Sequence, residues 1–219
     1  MSNIMLIRHG QANTGARDEA SYDQLSPLGM QQAQWLGQHI HRTGEHFERV
    51  YCGTLTRHLQ TAEAMGYHGD TRIQQDDRLN EMEFFTLANL LQDQQDIALP
   101  DHREGFVDYM PMLLAKWQAG EIAKAPESFQ DFEDRVASIT AEIAQGRGAA
   151  LVVTSGGLIG MAMAKVMDLD SHGFARLCLA IMNTSVHRLH RVGKDLAMTQ
   201  FNAVPHLEQP DRQHAQTHL

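Results

Sequence analysis

Three short stretches of the chain carry side chains suited to an anion. Arg8, His9 and Gly10 close an apolar run from Ile4 to Ile7, and Gly53 and Thr54 lead to Arg57. Thr154, Ser155, Gly156 and Gly157 follow a second apolar run. Guanidinium groups make forked contacts with phosphate oxygens. Glycines that open a helix expose backbone N–H groups, a further anion site. A histidine among such donors is placed to act as a nucleophile toward phosphorus. Taken singly, each residue has a plainer reading. His9 would be a surface or satisfied core histidine, Arg57 a helix-surface cation, and Ser155 the N-cap of the helix behind it.

Whether the three stretches converge depends on the elements that carry them. Residues 3–8 read as a buried strand. In "LSPLGMQQAQWLGQHI" Ser26 is an N-cap, Pro27 takes the first helical position, and Leu28, Trp35, Leu36 and Ile40 form an apolar face. A second short strand spans about 48–52, then a helix through "TLTRHLQTAEAMG" puts Leu55, Leu59 and Ala62 on one face, with Gly66 as C-cap. Residues 80–125 read as helical, rich in Met and Gln and poorly periodic. The clearest helix is 129–145, with Phe129, Phe132, Val136, Ile139 and Ile143 on one face, a capping-box start at Ser128 and Asp131, and Gly146 as its stop. "AALVVTSGGLIGMAMAKVMDL" reads as an apolar strand, a turn and a helix whose methionines pack in the core. Strands near 185–191 and 195–201 form a hairpin around Gly193 and Lys194. Strands that alternate with helices and are apolar on both faces predict an α/β three-layer sandwich, with a mostly parallel central sheet flanked by helices. Ligands of such sheets bind beyond the carboxyl ends of the strands, where the three stretches fall.

Bulk properties narrow the partners. With 219 residues, no internal repeat and no linker, the chain is expected to form one domain over residues 1–207, followed by a polar tail, 208–219. A formal charge of −9 argues against a broad nucleic-acid footprint, so any useful positive charge must be local. No apolar run reaches membrane-spanning length and no signal peptide is visible, which predicts a cytoplasmic protein without a membrane partner. Cys52 and Cys178 read as free buried thiols. His206, His214 and His218 lie in a polar stretch that reads as a frayed, solvated terminus rather than a metal site.

"LIRHGQ" at 6–11 resembles the Arg-His-Gly signature of the histidine phosphatase superfamily, which includes the cofactor-dependent phosphoglycerate mutases. "LSPLGMQQAQWLG", "YCGTLTRHLQTAEAM", "RLNEMEF", "ALVVTSGGLI" and "FNAVPHL" resemble further segments of that family in the expected order, so the resemblance covers about 3–207. It implies a phosphoglycerate mutase-like fold and a phosphomonoesterase that needs neither cofactor nor metal. His9 would take the phosphoryl group as a phosphohistidine, and Arg8 and Arg57 would clamp its oxygens. Glu81 would protonate the leaving oxygen and then activate water, with Glu83 as the neighbouring competitor. One departure stands out. The family places a second histidine before the glycine after the late strand, where this chain has Ser155 in "TSGG". The run "RHGQ…YDQLSPLG…TSGG…FN…HL" is similar to one branch of the superfamily, in which the serine would be native. A hydroxyl donates one hydrogen bond but brings no positive charge, and a lost donor costs about 10²–10³ in rate. Gly156 and the helix it opens would retain part of that stabilisation.

The resemblance implies a small phosphoester or a phosphorylated peptide as partner. Two alternatives stay open: a pseudoenzyme that binds a phosphorylated ligand, and a mutase-type phosphotransferase. His206 reads as structural, and His58 as a solvated helix residue. Asp18, Glu19 and Asp23 place acids on loop 12–24, which would disfavour highly anionic substrates if the loop covers the mouth.

Overall fold

A computed structural model describes residues 3–68 and 72–218. Its sheet has six strands in the order β3-β2-β4-β1-β5-β6. These are β1 (Asn3–Arg8), β2 (Arg49–Cys52), β3 (Ile73–Gln75), β4 (Ala150–Thr154), β5 (Val186–Val192) and β6 (Asp195–Ala203). The first four run parallel to one another, whereas β5 and β6 are antiparallel additions on the far side of β1. The sheet is therefore mixed, with a parallel majority.

Eight helices accompany it among the described residues: α1 (Glu19–Tyr22), α2 (Pro27–Thr43), α3 (Thr56–Ala64), α4 (Phe84–Gln95), α5 (Arg103–Gln118), α6 (Phe129–Gln145), α7 (Gly156–Val166) and α8 (Ser171–Ala180). Successive strand residues point to opposite faces. Ile4, Leu6, Ala150 and Val152 join a core with α4 through α8, while Met5, Ile7, Leu151 and Val153 join another with α2 and α3. Two cores, one per face, are why Ile4 to Ile7 of β1 and Ala150 to Val153 of β4 are apolar without a break. Helix α6 has the capping box at Ser128 and Asp131, and Phe132 and Val136 are fully buried on its inner face. Met161 and Met163 of α7 pack in the core, and Cys52 and Cys178 are free and buried. No helix is long and apolar enough to cross a membrane among the described residues.

Several expectations need correction. Strand β3 and helix α1, three and four residues long, are too short to show periodicity, and α8, with Phe174, Ala175 and Cys178 on its buried face, is a further element beyond those expected. The poorly periodic middle resolves into α4 and α5. At the end of α3, Met65 takes the C-cap position and Gly66 follows it at φ +98°, its N–H on the Glu63 carbonyl. The C-terminal stretch is not a frayed, solvated terminus. Ala215 is fully buried beside Val204 and Leu207. The Asn183 N–H donates to the Thr217 carbonyl at 2.8 Å, and Gln32 Nε2 donates to the Ala215 carbonyl at 2.6 Å. Contacts between residues far apart in sequence hold this segment, so its polar composition gave no warning. Its three histidines separate: His206 is buried, His214 is exposed, and His218 lies at a cavity.

Candidate active site

The register of the sheet brings the three stretches together. Arg8 pairs with Thr154 across β1 and β4, and Cys52 pairs with Val153 across β2 and β4. His9, Ser155 and Gly53 therefore follow three adjacent parallel strands at one edge. The His9 N–H donates to the Thr154 carbonyl at 2.9 Å, and the Gly53 N–H donates to the Val153 carbonyl at 3.1 Å.

His9 is 2% exposed, and its Nδ1 lies 2.7 Å from the Gly10 carbonyl oxygen. A carbonyl only accepts, so Nδ1 carries the hydrogen and Nε2 keeps its lone pair. Burial, followed by the charges of Arg57 and Arg8, holds the imidazole well below its ordinary pKa and hence neutral. Gly10 is required by a close approach: a Cβ there would run into the Gly29 carbonyl in the first turn of α2.

The two guanidiniums flank this ring. Arg57 is 2% exposed, and its Nη1 lies 3.1 Å from Asp23 Oδ1. Asp23 also accepts from the backbone N–H groups of Thr56 and Arg57 at 2.9 and 3.2 Å, capping α3, whose own N-cap residue Leu55 offers no side-chain bond. The Tyr22 ring lies 5.0 Å from the Arg57 guanidinium carbon. Arg8 Nη1 donates to the carbonyls of Ile181 and, at 2.9 Å, His218. The Nε atoms of both arginines are buried without a partner among the described residues. An unmade bond to a charged donor is costly, so both atoms invite an anion.

Glu81 and Glu83 part company. Glu81 lines the cavity, its Oε2 accepting the Gly157 N–H at 2.8 Å and its Oε1 the Met82 N–H at 3.1 Å. A Cβ at position 157 would strike Glu81 Oε1, so the glycine admits the carboxylate to the start of α7. Arg135 holds the acidic segment from behind, with Nη1 on the carbonyls of Arg78 and Asn80 at 3.0 and 2.8 Å. Glu83 is exposed, accepts from Thr86 Oγ1 at 2.8 Å, and does not line the cavity.

Ser155 occupies the N-cap position of α7 without a side-chain cap bond. Its Oγ instead lies 2.6 Å from His58 Nε2. His58, expected to be solvated, is fully buried, with its ring 5.7 Å from that of His9. The correction has a plain cause. Helix α3 starts at the sheet edge, so its first turn faces the site rather than solvent. His206 is buried behind Thr184, whose Oγ1 lies 2.8 Å from His206 Nε2, and does not line the cavity. The cavity, about 420 Å³, is lined by Arg8, Arg57, Glu81, Gly156 and Gly157, with Tyr22, Phe84, Phe85 and Phe106 on its walls.

The family model for the histidine phosphatase superfamily (branch 1) matches residues 4–204. The chain belongs to that superfamily. Solved structures share the fold of this histidine phosphatase superfamily member. A phosphoserine phosphatase variant from Entamoeba histolytica, bound to phosphoserine, is 20% identical, with a TM-score of 0.71 over 94% of this chain and 100% of the other. The α-ribazole phosphatase of Shigella flexneri is 19% identical, with a TM-score of 0.67 over 92% of this chain and 96% of the other. A mycobacterial glucosyl-3-phosphoglycerate phosphatase is 23% identical, with a TM-score of 0.64 over 92% of this chain and 98% of the other. No curated protein matches by sequence. Two residues of the site escaped sequence reading, the buried His58 and the Arg57 partner Asp23. The only signal was adjacency to Arg57 for the first and a loop of acids for the second.

Proposed function

We propose that the chain is a phosphomonoester hydrolase working through a phosphohistidine at His9. The observation that carries this reading is a neutral imidazole with a free Nε2, flanked by two guanidiniums whose buried Nε atoms lack partners. Nε2 attacks phosphorus in line, forming the N–P bond as the P–O bond to the leaving group breaks. Arg8 and Arg57 neutralise charge on the non-bridging oxygens. Glu81, on the cavity wall, gives its proton to the leaving oxygen. The resulting carboxylate takes a proton from water, which attacks phosphorus, and His9 leaves as the neutral imidazole. Bonds and protons balance, with no metal or cofactor invoked. Residues 1–207 are the catalytic unit in this reading, 208–218 of the tail pack on it, and Thr154 to Gly157 mark a subgroup of the superfamily.

The aromatic walls favour a substrate whose body is apolar or aromatic over one as small and polar as phosphoserine. Loop 12–24 does line the mouth, through Asn13, Thr14, Arg17 and Glu19. Only one of its three acids, Glu19, faces the cavity, and it is half-buried, accepting the Phe85 N–H at 2.7 Å. Burial raises its pKa. The decisive experiment compares metal-free hydrolysis of an aryl phosphate by the protein and by His9→Ala, and traps the phosphoenzyme. Turnover that needs His9, through an acid-labile and base-stable adduct, is expected. Turnover that survives in His9→Ala would remove the mechanism. A phosphate-binding protein without turnover is the second reading, favoured by a neutral hydroxyl at Ser155.

A further inference from the structure

Among the described residues three buried hydroxyl–imidazole pairs lie around the site. In two of them the hydroxyl hydrogen is already spent. Thr184 Oγ1, beside His206, donates to the Asn183 carbonyl at 2.7 Å, and Ser185 Oγ, beside His187, donates to the Met182 carbonyl at 2.6 Å. Ser155 is different. Its Oγ meets His58 Nε2 at 2.6 Å, and no carbonyl takes its hydrogen among the described residues.

The tautomer of His58 follows from its other nitrogen. Nδ1 is buried without a partner among the described residues, packed where a Cβ on Gly53 would strike it. An orphaned N–H is the rarer and costlier state, so Nδ1 carries the lone pair and Nε2–H donates to Ser155 Oγ. The Ser155 hydrogen is then directed away from His58. Ser155 follows β4 as His9 follows the neighbouring β1, one step beyond the Arg8–Thr154 pair, and the two imidazoles lie 5.7 Å apart.

We propose that His58 and Ser155 form one donor unit, in which His58 Nε2–H holds Ser155 Oγ and Ser155 O–H binds a non-bridging oxygen of the phosphoryl group at His9. This rests on the phosphatase reading. In this unit Ser155, fully buried directly behind Gly156 of the cavity wall, is the group that meets the phosphoryl oxygen, and His58 is a positioning residue that acts through it. A neutral hydroxyl thereby gains directionality, because His58 fixes its oxygen and leaves its hydrogen to be donated elsewhere.

The test titrates inorganic phosphate by thermal shift and, in parallel, measures aryl phosphate turnover. It uses the wild type, Ser155→Ala, His58→Phe, His58→Gln and the double variant Ser155→Ala/His58→Phe. Ser155→Ala removes one atom and keeps the test open if a His58 variant folds poorly. Ser155→Ala should weaken phosphate binding about 10–100-fold, the value of a hydrogen bond to a charged group. His58→Phe should weaken it less, His58→Gln should recover part of the loss through its own N–H, and the double variant should match Ser155→Ala. Wild-type affinity in Ser155→Ala would overturn the proposal, as would additive losses in the double variant. If the wild type binds phosphate but shows no His9-dependent turnover, the phosphatase reading fails while the titration still decides the donor unit. No phosphate binding by the wild type would overturn both.

Discussion

At the scale of single residues, the site works by leaving chosen atoms unsatisfied. Most buried polar atoms in a fold are paired. Here the Nε atoms of Arg8 and Arg57 and the Nε2 lone pair of His9 are kept available, while neighbouring atoms of the same groups are tied down. Glu81 is likewise anchored by two backbone N–H groups yet still faces the cavity. Glu81→Gln should therefore lower kcat by about 10²–10⁴, the usual range for a general acid–base. Glu83→Gln should leave turnover within about twofold, since surface substitutions do little. Steady-state kinetics on both variants checks this, and equal losses would show that geometry chose the wrong carboxylate. Both glutamates were legible as candidates in "RLNEMEF". Only the direction each side chain takes separates them.

At the scale of elements, the segment after Leu207 changes character between sequence and structure. Gln32 of α2 is fully buried and holds two distant pieces of chain: its Oε1 accepts the Gln11 N–H at 2.8 Å and its Nε2 donates to the Ala215 carbonyl at 2.6 Å. Gln11 follows the Arg-His-Gly run, so one amide side chain links the loop after His9 to the C-terminal segment. Gln32→Ala would strand a buried donor and a buried acceptor at a cost of about 1–3 kcal/mol. For a chain of this length that lowers Tm by about 2–4 °C for each kcal/mol. Thermal melts check this, and an unchanged Tm would mean that the segment is held without Gln32. Nothing local predicts the role, because a glutamine in a Gln-rich helix reads as surface. Four helices were legible in advance, α2, α3, α6 and α7, and the plainest, α2 and α6, have both a cap and a regular apolar stripe.

At the scale of the molecule, buried neutral histidines couple stability to pH. Burial first, then the charge of Arg8, pushes the His187 pKa down to about 3. His206 is also pushed down to about 3, by burial and then by the charges of His39 and Arg212. His9 and His58 are lowered as well, burial being the first cause in each. The unfolded chain protonates these rings near pH 6.5 and the native fold does not. Their contribution is therefore fully present above pH 6.5 and is lost as pH falls toward the folded pKa, by roughly 1.4 kcal/mol per pH unit for each ring. Melts between pH 7 and 4.5 should show Tm falling through this window. His206→Gln, which keeps an N–H for Thr184, should shallow the slope by about one proton's worth. An unaltered slope would show that His206 is not among the groups responsible.

Some properties were determined by the sequence itself, because their physics is local or repeats along the chain. Strands apolar on both faces demand a sheet covered on two sides, and caps and stripes place α2 and α6. The ordered run of segments around Arg8, His9, Arg57 and Glu81 assigns the superfamily. Tertiary structure alone decided the rest. Strand register sets Ser155 beside His9, and the start of α3 at the sheet edge turns His58 inward. Asp23 crosses from a loop to cap α3 and hold Arg57, and the segment up to His218 folds back onto the site. Each of these is a contact between residues distant in sequence or a choice of side-chain direction. Neither leaves a periodic or compositional trace, because its energy comes from burial and hydrogen bonding that exist only once the chain has folded.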